Sequence, residues 1–238
     1  IIRWIDHWLK DIDTGIMDEP PIKIFVMGAN HWRYEQEWPL ARTKWTNFYL
    51  RNWGRLSTEA ETYIDIPPDC YVQDPLTVTR NIQSVAYATS PLPEDIEVTG
   101  PIALYLYASI DADDTNWIVI LKDVSKDGSD TELTRGWLKA SHRAVDESQS
   151  KAYQPYHIHI NPEPVVPDEI YEYAIETRPT SNVFKAGNRI KLEITSMDMP
   201  GKFIFTPMHA GISRATLHRI YHDKKYPSHL ILPIIPQK

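Results

Sequence analysis

Residues 117–141 read WIVILKDVSKDGSDTELTRGWLKAS, two apolar-rich runs separated by Lys126-Asp127-Gly128-Ser129. The runs predict strands over 117–124 and 132–141, and Gly128 supplies the positive φ that a tight hairpin connection needs. Working outward, Ile190-Lys-Leu192-Glu-Ile194 alternates apolar and charged residues, the period of a strand with one face on a core. Similar runs bounded by turn residues predict further strands over 23–27, 46–50, 62–66, 84–89, 102–109, 169–177, 189–196, 216–221 and 229–234. With 19 Pro against 9 Gly, long helices are disfavoured and loop corners are rigid. The class this implies is all-β, a sandwich or jelly roll.

The first twelve residues break the pattern. Ile1, Ile2, Ile5, Trp8 and Leu9 stand at helical spacing with Arg3, Asp6 and Lys10 between them, which predicts one short amphipathic helix. Asp13-Thr14-Gly15 ends it, and Pro20-Pro21 forms a rigid link to the β region. The expected division is 1–19 for helix and linker and 20–238 for the sandwich.

At 238 residues, with 42% hydrophobic and 11% aromatic residues, the chain is long and apolar enough for one well-buried sandwich. A net charge of −7 without a clustered basic face excludes the usual nucleic-acid surface. No run approaches the ~18 apolar residues of a membrane helix, so no membrane partner is expected. One cysteine, Cys70, rules out an internal disulfide framework and a paired-thiolate zinc site. It fits a reducing, cytoplasmic compartment; any targeting signal would lie upstream of Ile1.

Residue patterns that carry chemistry are sparse. Gly211-Ile-Ser213-Arg-Ala215 only approximates a nucleophile elbow and lacks the strand-turn-helix setting that makes one work. His157-Ile-His159 puts two imidazoles on one face of an extended segment, without a third ligand by spacing. Asp123-Val-Ser125-Lys-Asp127-Gly128 opens like a calcium loop, but Thr134 stands where the closing Glu is required. Asp111-Ala-Asp113-Asp114 reads as a solvated turn, Cys70 has no local base, and His7 falls on the helix face. The expectation is therefore no catalytic residue, no metal and no cofactor in this chain.

Several longer stretches resemble one known family. They are IRWIDHWLKD (2–11), PIKIFVMGANHWRYEQEWPLARTKWTNFYL (21–50), Val98-Thr-Gly100-Pro101, Pro179-Thr-Ser-Asn182-Val-Phe184-Lys-Ala-Gly187-Asn-Arg189 and PSHLILPIIP (227–236). Together they are similar to the C-terminal half of X-Pro dipeptidyl-peptidase and cocaine-esterase-like (CocE/NonD) serine hydrolases. The resemblance implies a jelly-roll (galactose-binding-like) β-sandwich that packs on an upstream α/β-hydrolase domain carrying the Ser-His-Asp triad, with residues 2–11 as the last helix of that domain. It implies a non-catalytic role, completing and stabilising an ester or X-Pro peptide hydrolase and helping to shape its pocket for a small-molecule substrate. On that footing Asp74, Pro75, Leu76, Val78 and Ile82 are pocket candidates, and Trp4, Trp8, Trp32, Arg33 and Trp38 are domain-interface candidates. Separated from the upstream domain, the chain is expected to form homo-oligomers through the same aromatics. The rival of a different class is an autonomous carbohydrate- or ligand-binding jelly roll, for which eight Trp supply stacking surface.

Overall fold

The computed structural model describes residues 1–75, 77–198 and 214–236. After helix α1 (Ile2–Lys10), the described residues form strands β1 (Ile22–Val26), β2 (His31–Glu35), β3 (Lys44–Arg51), β4 (Arg55–Ser57), β5 (Asp69–Gln73), β6 (Ser84–Ala88), β7 (Ile96–Ile110), β8 (Asn116–Val124), β9 (Asp130–Lys139), β10 (Tyr171–Phe184), β11 (Arg189–Thr195), β12 (Thr216–Tyr221) and β13 (His229–Ile235). The all-β sandwich expected from the alternation is the architecture observed.

One layer runs β9-β8-β11-β6 and the other β10-β7-β13-β3-β4, with β12 and then β5 added beyond the end of β7. The layers join at two thin seams, Thr177 opposite Gly136 between β10 and β9 and Arg55 opposite Ala88 between β4 and β6. Between them lies one core. Trp117, Val119 and Leu121 of β8 and Ile190, Leu192 and Ile194 of β11 meet Leu104 and Leu106 of β7, Tyr173 and Ile175 of β10, and Leu230 and Leu232 of β13. Trp117 and Tyr173 touch across it with ring centroids 5.4 Å apart. Burial at roughly 1.5–3 kcal/mol for each large side chain is the main source of stability.

Gly136 is required at its seam because an added Cβ would lie 2.1 Å from the Glu176 carbonyl oxygen. The hairpin that opened the sequence argument forms as expected: Gly128 has φ 86°, and its N–H donates to the Ser125 carbonyl at 2.9 Å.

Several strand expectations need correction. Residues 62–66 form no strand, because their backbone donors serve carboxylates: Thr62 and Tyr63 N–H bond Glu61 at 2.8 and 3.2 Å, and Asp65 N–H bonds Asp223 at 2.9 Å. Strand β2 lies between the expected strands 23–27 and 46–50, where none was predicted. Its residues pair with β1 from Ile22–Glu35 to Val26–His31 as a two-stranded ribbon, joined to β10 through Met27, which bonds the Ser181 and Val183 backbone at 3.1 and 2.8 Å. Strands β4 and β5 are further additions, and β7 begins at Ile96, ahead of the expected 102. Asn182 lies inside β10, donating to Asp123 at 3.4 Å, and the turn before β11 is Lys185 to Asn188, where Gly187 takes φ 84°.

Candidate functional site: an exposed aromatic face and a clamped loop

Helix α1 closes at Asp11, in the left-handed region with φ 54°, and none of its residues is buried. Ile2, Trp4, Ile5, Trp8 and Leu9 face solvent, with Trp4 52% and Trp8 55% exposed. The two indoles pack together at 5.7 Å, and His7 meets Trp8 edge-on at 5.1 Å, which places His7 on the helix face as expected. Arg3 tethers the helix, pairing with Glu19 at 2.6 Å and bonding the Thr14 carbonyl at 2.8 Å. That bond from Arg3 holds the Glu19 carboxyl below the usual range.

The β1–β2 ribbon follows directly and adds a second aromatic group. Phe25 and Trp32 pack at 5.3 Å, and the Lys23 ammonium lies 5.5 Å from the Trp32 ring and 4.9 Å from Tyr34. Trp32 is 61% exposed, and Trp38, ahead of a cis bond to Pro39, is 40% exposed. Contiguous uncovered apolar surface is the kind of patch that proteins use for contacts. Arg33 plays a different part from its aromatic neighbours. Its guanidinium bonds Glu97 at 2.6 and 2.9 Å and reaches Glu35 at 2.5 Å, while Arg42 also bonds Glu35. Arg33 is thus a strut fixing the ribbon to the start of β7. The Arg42 bond is the largest influence holding the Glu35 carboxyl low. Burial pushes Glu97 up, but the bonds from Arg33 and Thr99 outweigh it.

The pocket candidates sit on a loop whose root is locked. Gln73 is fully buried at the end of β5. Its Nε2 donates to the carbonyls of Asp74 at 2.8 Å and Asn81 at 3.2 Å, and its Oε1 accepts the Gln83 N–H at 2.8 Å. Thr195 of β11 bonds the Gln83 carbonyl at 2.8 Å. Pro75 is buried and its carbonyl accepts the Val78 and Thr79 N–H groups at 2.9 and 3.1 Å; Asp74 is exposed, Ile82 half-buried, and Val78 78% exposed. Leu76 lies outside the described residues. Sequence reasoning missed Gln73, since nothing local distinguishes a buried clamp from a polar strand end.

The two groups of candidates are not brought together. The ribbon is anchored at Glu97, at the start of β7, whereas β12, which carries β5 and this loop, pairs with β7 at Ile110. A strand of 15 residues separates those points by about 45 Å.

The remaining chemical candidates resolve into structural roles. Asp127 accepts the Ser129 N–H at 3.0 Å inside the hairpin, and Asp123 accepts from Asn188 at 2.9 Å. Asp111 accepts the Leu217 N–H at 2.9 Å, and Asp114 the N–H groups of Thr115 and Ser141 at 3.0 Å. Cys70 is exposed, with burial of part of its surroundings pushing the thiol up. Ser213 lies outside the described residues. The His157 and His159 rings do lie together, 5.6 Å apart, though not on an extended strand: His159 adopts φ 58°, and its ring also approaches His142 at 5.5 Å, a neighbour that the sequence did not indicate. No group of three or more His, Cys, Asp or Glu suited to a metal ion occurs among the described residues.

An all-β sandwich with an uncovered aromatic face is the class these observations define. The pattern of the X-Pro dipeptidyl-peptidase C-terminal non-catalytic domain matches residues 14–231, and the chain belongs to that family. Cocaine esterase of Rhodococcus sp. is 28% identical over 269 residues, spanning 98% of this chain and 45% of the esterase. Among solved structures, a CocE/NonD family hydrolase from Staphylococcus aureus superposes with a TM-score of 0.79 at 22% identity, over 98% of this chain and 44% of that one. An aminopeptidase from a marine-sediment thaumarchaeon gives a TM-score of 0.78 at 23% identity, over 99% of this chain and 43% of that one. The chain thus spans less than half the length of these relatives and matches the non-catalytic part of such hydrolases.

Proposed function

We propose that this chain docks through α1 and the β1–β2 ribbon onto an upstream α/β-hydrolase domain and completes a serine hydrolase acting on small esters or X-Pro peptides. The observation that carries the proposal is α1, a helix with no buried residue and a continuous apolar face at the N-terminal end of a chain whose relatives are more than twice its length. On this proposal residues 1–19 belong structurally to the upstream domain and 20–238 form the sandwich. The clamped loop at the far end of β7 is its second contact, with Val78 and Ile82 facing the acyl group of the substrate. A partner of ~300 residues is about 50 Å across, wide enough to touch both.

The test uses the enzyme extended upstream to the length of its relatives. Replacing Trp4, Trp8 and Trp32 together by Ala is expected to lower its melting temperature and its turnover of an activated ester, while the isolated chain shows neither turnover nor labelling by a serine-directed phosphonate. Unchanged stability and activity in the triple variant would remove the docking surface; phosphonate labelling of the isolated chain would remove the non-catalytic assignment.

A further inference from the structure

The two layers of the sandwich turn different chemistry outward. On β8, β9 and β11 the face directed away from the core carries ion pairs: Lys122 reaches Glu193 at 2.8 Å and Asp130 at 3.3 Å, and Lys191 reaches Asp130 at 3.3 Å. The apolar residues of that face, Ile118 and Ile120, are already buried. Such a surface is suited to water.

The opposite layer is built otherwise. Side chains alternate along a strand, so Phe48, Leu104 and Leu230 in the core send Tyr49, Tyr105 and His229 to the outer face. The register sets these three directly opposite one another on β3, β7 and β13, with ring centroids 5.4 Å apart for Tyr49–His229 and 5.3 Å for Tyr105–His229. Two residues further along β7, Tyr107 stands opposite Tyr221 of β12, and Tyr226 packs against them at 5.7 and 5.6 Å. All six are half-buried, still partly open to solvent. Residues 45–49, 103–109 and 229–233 include no Asp, Glu, Lys or Arg. Aromatic rings with polar tips and no fixed charge are the composition of interface centres.

This row is continuous with the surface assigned to docking. Trp45 at the start of β3 stacks on Tyr153 at 3.8 Å and stands opposite Pro233, two residues from Ile235, whose partner Glu97 holds Arg33 of the ribbon. In the other direction β12 leads from Tyr221 to Thr216, which pairs with Gln73 at the root of the clamped loop. The aromatic face thus fills the stretch of β7 between ribbon and loop.

We infer that the outer face of β3, β13 and β7, centred on Tyr49, His229 and Tyr105, is the main seat of the upstream domain, which meets it with a broad protein surface free of fixed charge. This assignment rests on the docking proposed above, because a domain touching both ribbon and loop must lie across the face between them, and this face, unlike the ion-paired one, is composed to be covered.

Hydroxyl-radical footprinting read by mass spectrometry compares the chain alone with the enzyme extended upstream to the length of its relatives. Oxidation of Tyr49, Tyr105 and His229 is expected to fall at least about fivefold in the extended enzyme, as for side chains from which an interface excludes water, while amine acylation of Lys191 on the opposite face stays unchanged. Protection of Trp4, Trp8 and Trp32 without protection of the row would overturn this assignment and leave the docking of helix and ribbon standing; protection of neither would overturn both. Equal protection of Lys191 would overturn the choice of face. As a second readout, Tyr105→Lys is expected to lower the melting temperature of the extended enzyme by more than that of the chain alone, and equal losses in the two would also overturn the assignment.

Discussion

Gly136 and Gln73 govern more of this molecule than their chemistry suggests. At Gly136 a Cβ would meet the backbone oxygen of Glu176 at 2.1 Å, so the strain cannot be relieved by a side-chain rotation. Gly136→Ala is expected to cost about 3 kcal/mol, the upper end for overpacking, seen as a lower urea midpoint with an unchanged slope. Gln73→Leu leaves the Asp74 and Asn81 carbonyls and the Gln83 N–H without their buried partner. A loss of about 1–3 kcal/mol is expected, together with faster tryptic cleavage after the exposed Arg80; an unchanged cleavage rate would show that the clamp does not hold the loop. Neither residue was legible in the sequence. The glycine in TRGWLK takes its role from Glu176 on another strand, and the glutamine in CYVQDP from carbonyls and an N–H of the following loop that only its folded path brings back to the side chain.

Among the elements, the ribbon and the helix respond to different variables. The Glu35 and Glu97 carboxyls sit below their ordinary range in the folded state, so they bind fewer protons there than in the unfolded chain. Their contribution is therefore complete above the unfolded carboxylate value of about 4.3 and is lost as pH falls through the lower folded values. Melting temperature is expected to drop between about pH 5 and pH 3, and the drop to be shallower in a Glu35→Gln, Glu97→Gln double variant; parallel curves would show that the network does not report acid stability. For α1, removing residues 1–12 is expected to reduce self-association of the isolated chain in sedimentation velocity, since the deletion takes away Trp4 and Trp8. A profile that is monomeric with and without the helix would argue against a sticky face. The helix was legible because its apolar residues keep a 3.6-residue period. Strand β2 was not, because its alternation is inverted, with Trp32 and Tyr34 exposed while Arg33 is half-buried and Glu35 buried, and its identity comes from pairing with β1.

At the scale of the whole molecule, the sequence carried the class but not the closure. Alternation such as IKLEI marks strands with one buried face, whereas β7 is buried along nearly all of its length, so its true extent was hidden. The seams that shut the sandwich rest on single residue pairs that no local pattern announces. Of the candidate site, the tryptophans that the structure leaves exposed could be named from the sequence, but not the strut role of Arg33 or the distance between ribbon and loop. The clamp on that loop has one more consequence. Because Gln73 and Thr195 hold its two ends to the body of the fold, the length of the segment between them is a free variable. Doubling the span from Asp74 to Ile82 with Gly-Ser residues is expected to cost only about 0.6 kcal/mol of closure entropy, measurable as a barely altered urea midpoint. A fold that tolerates such insertions can lengthen or shorten this one segment and leave the packed core untouched.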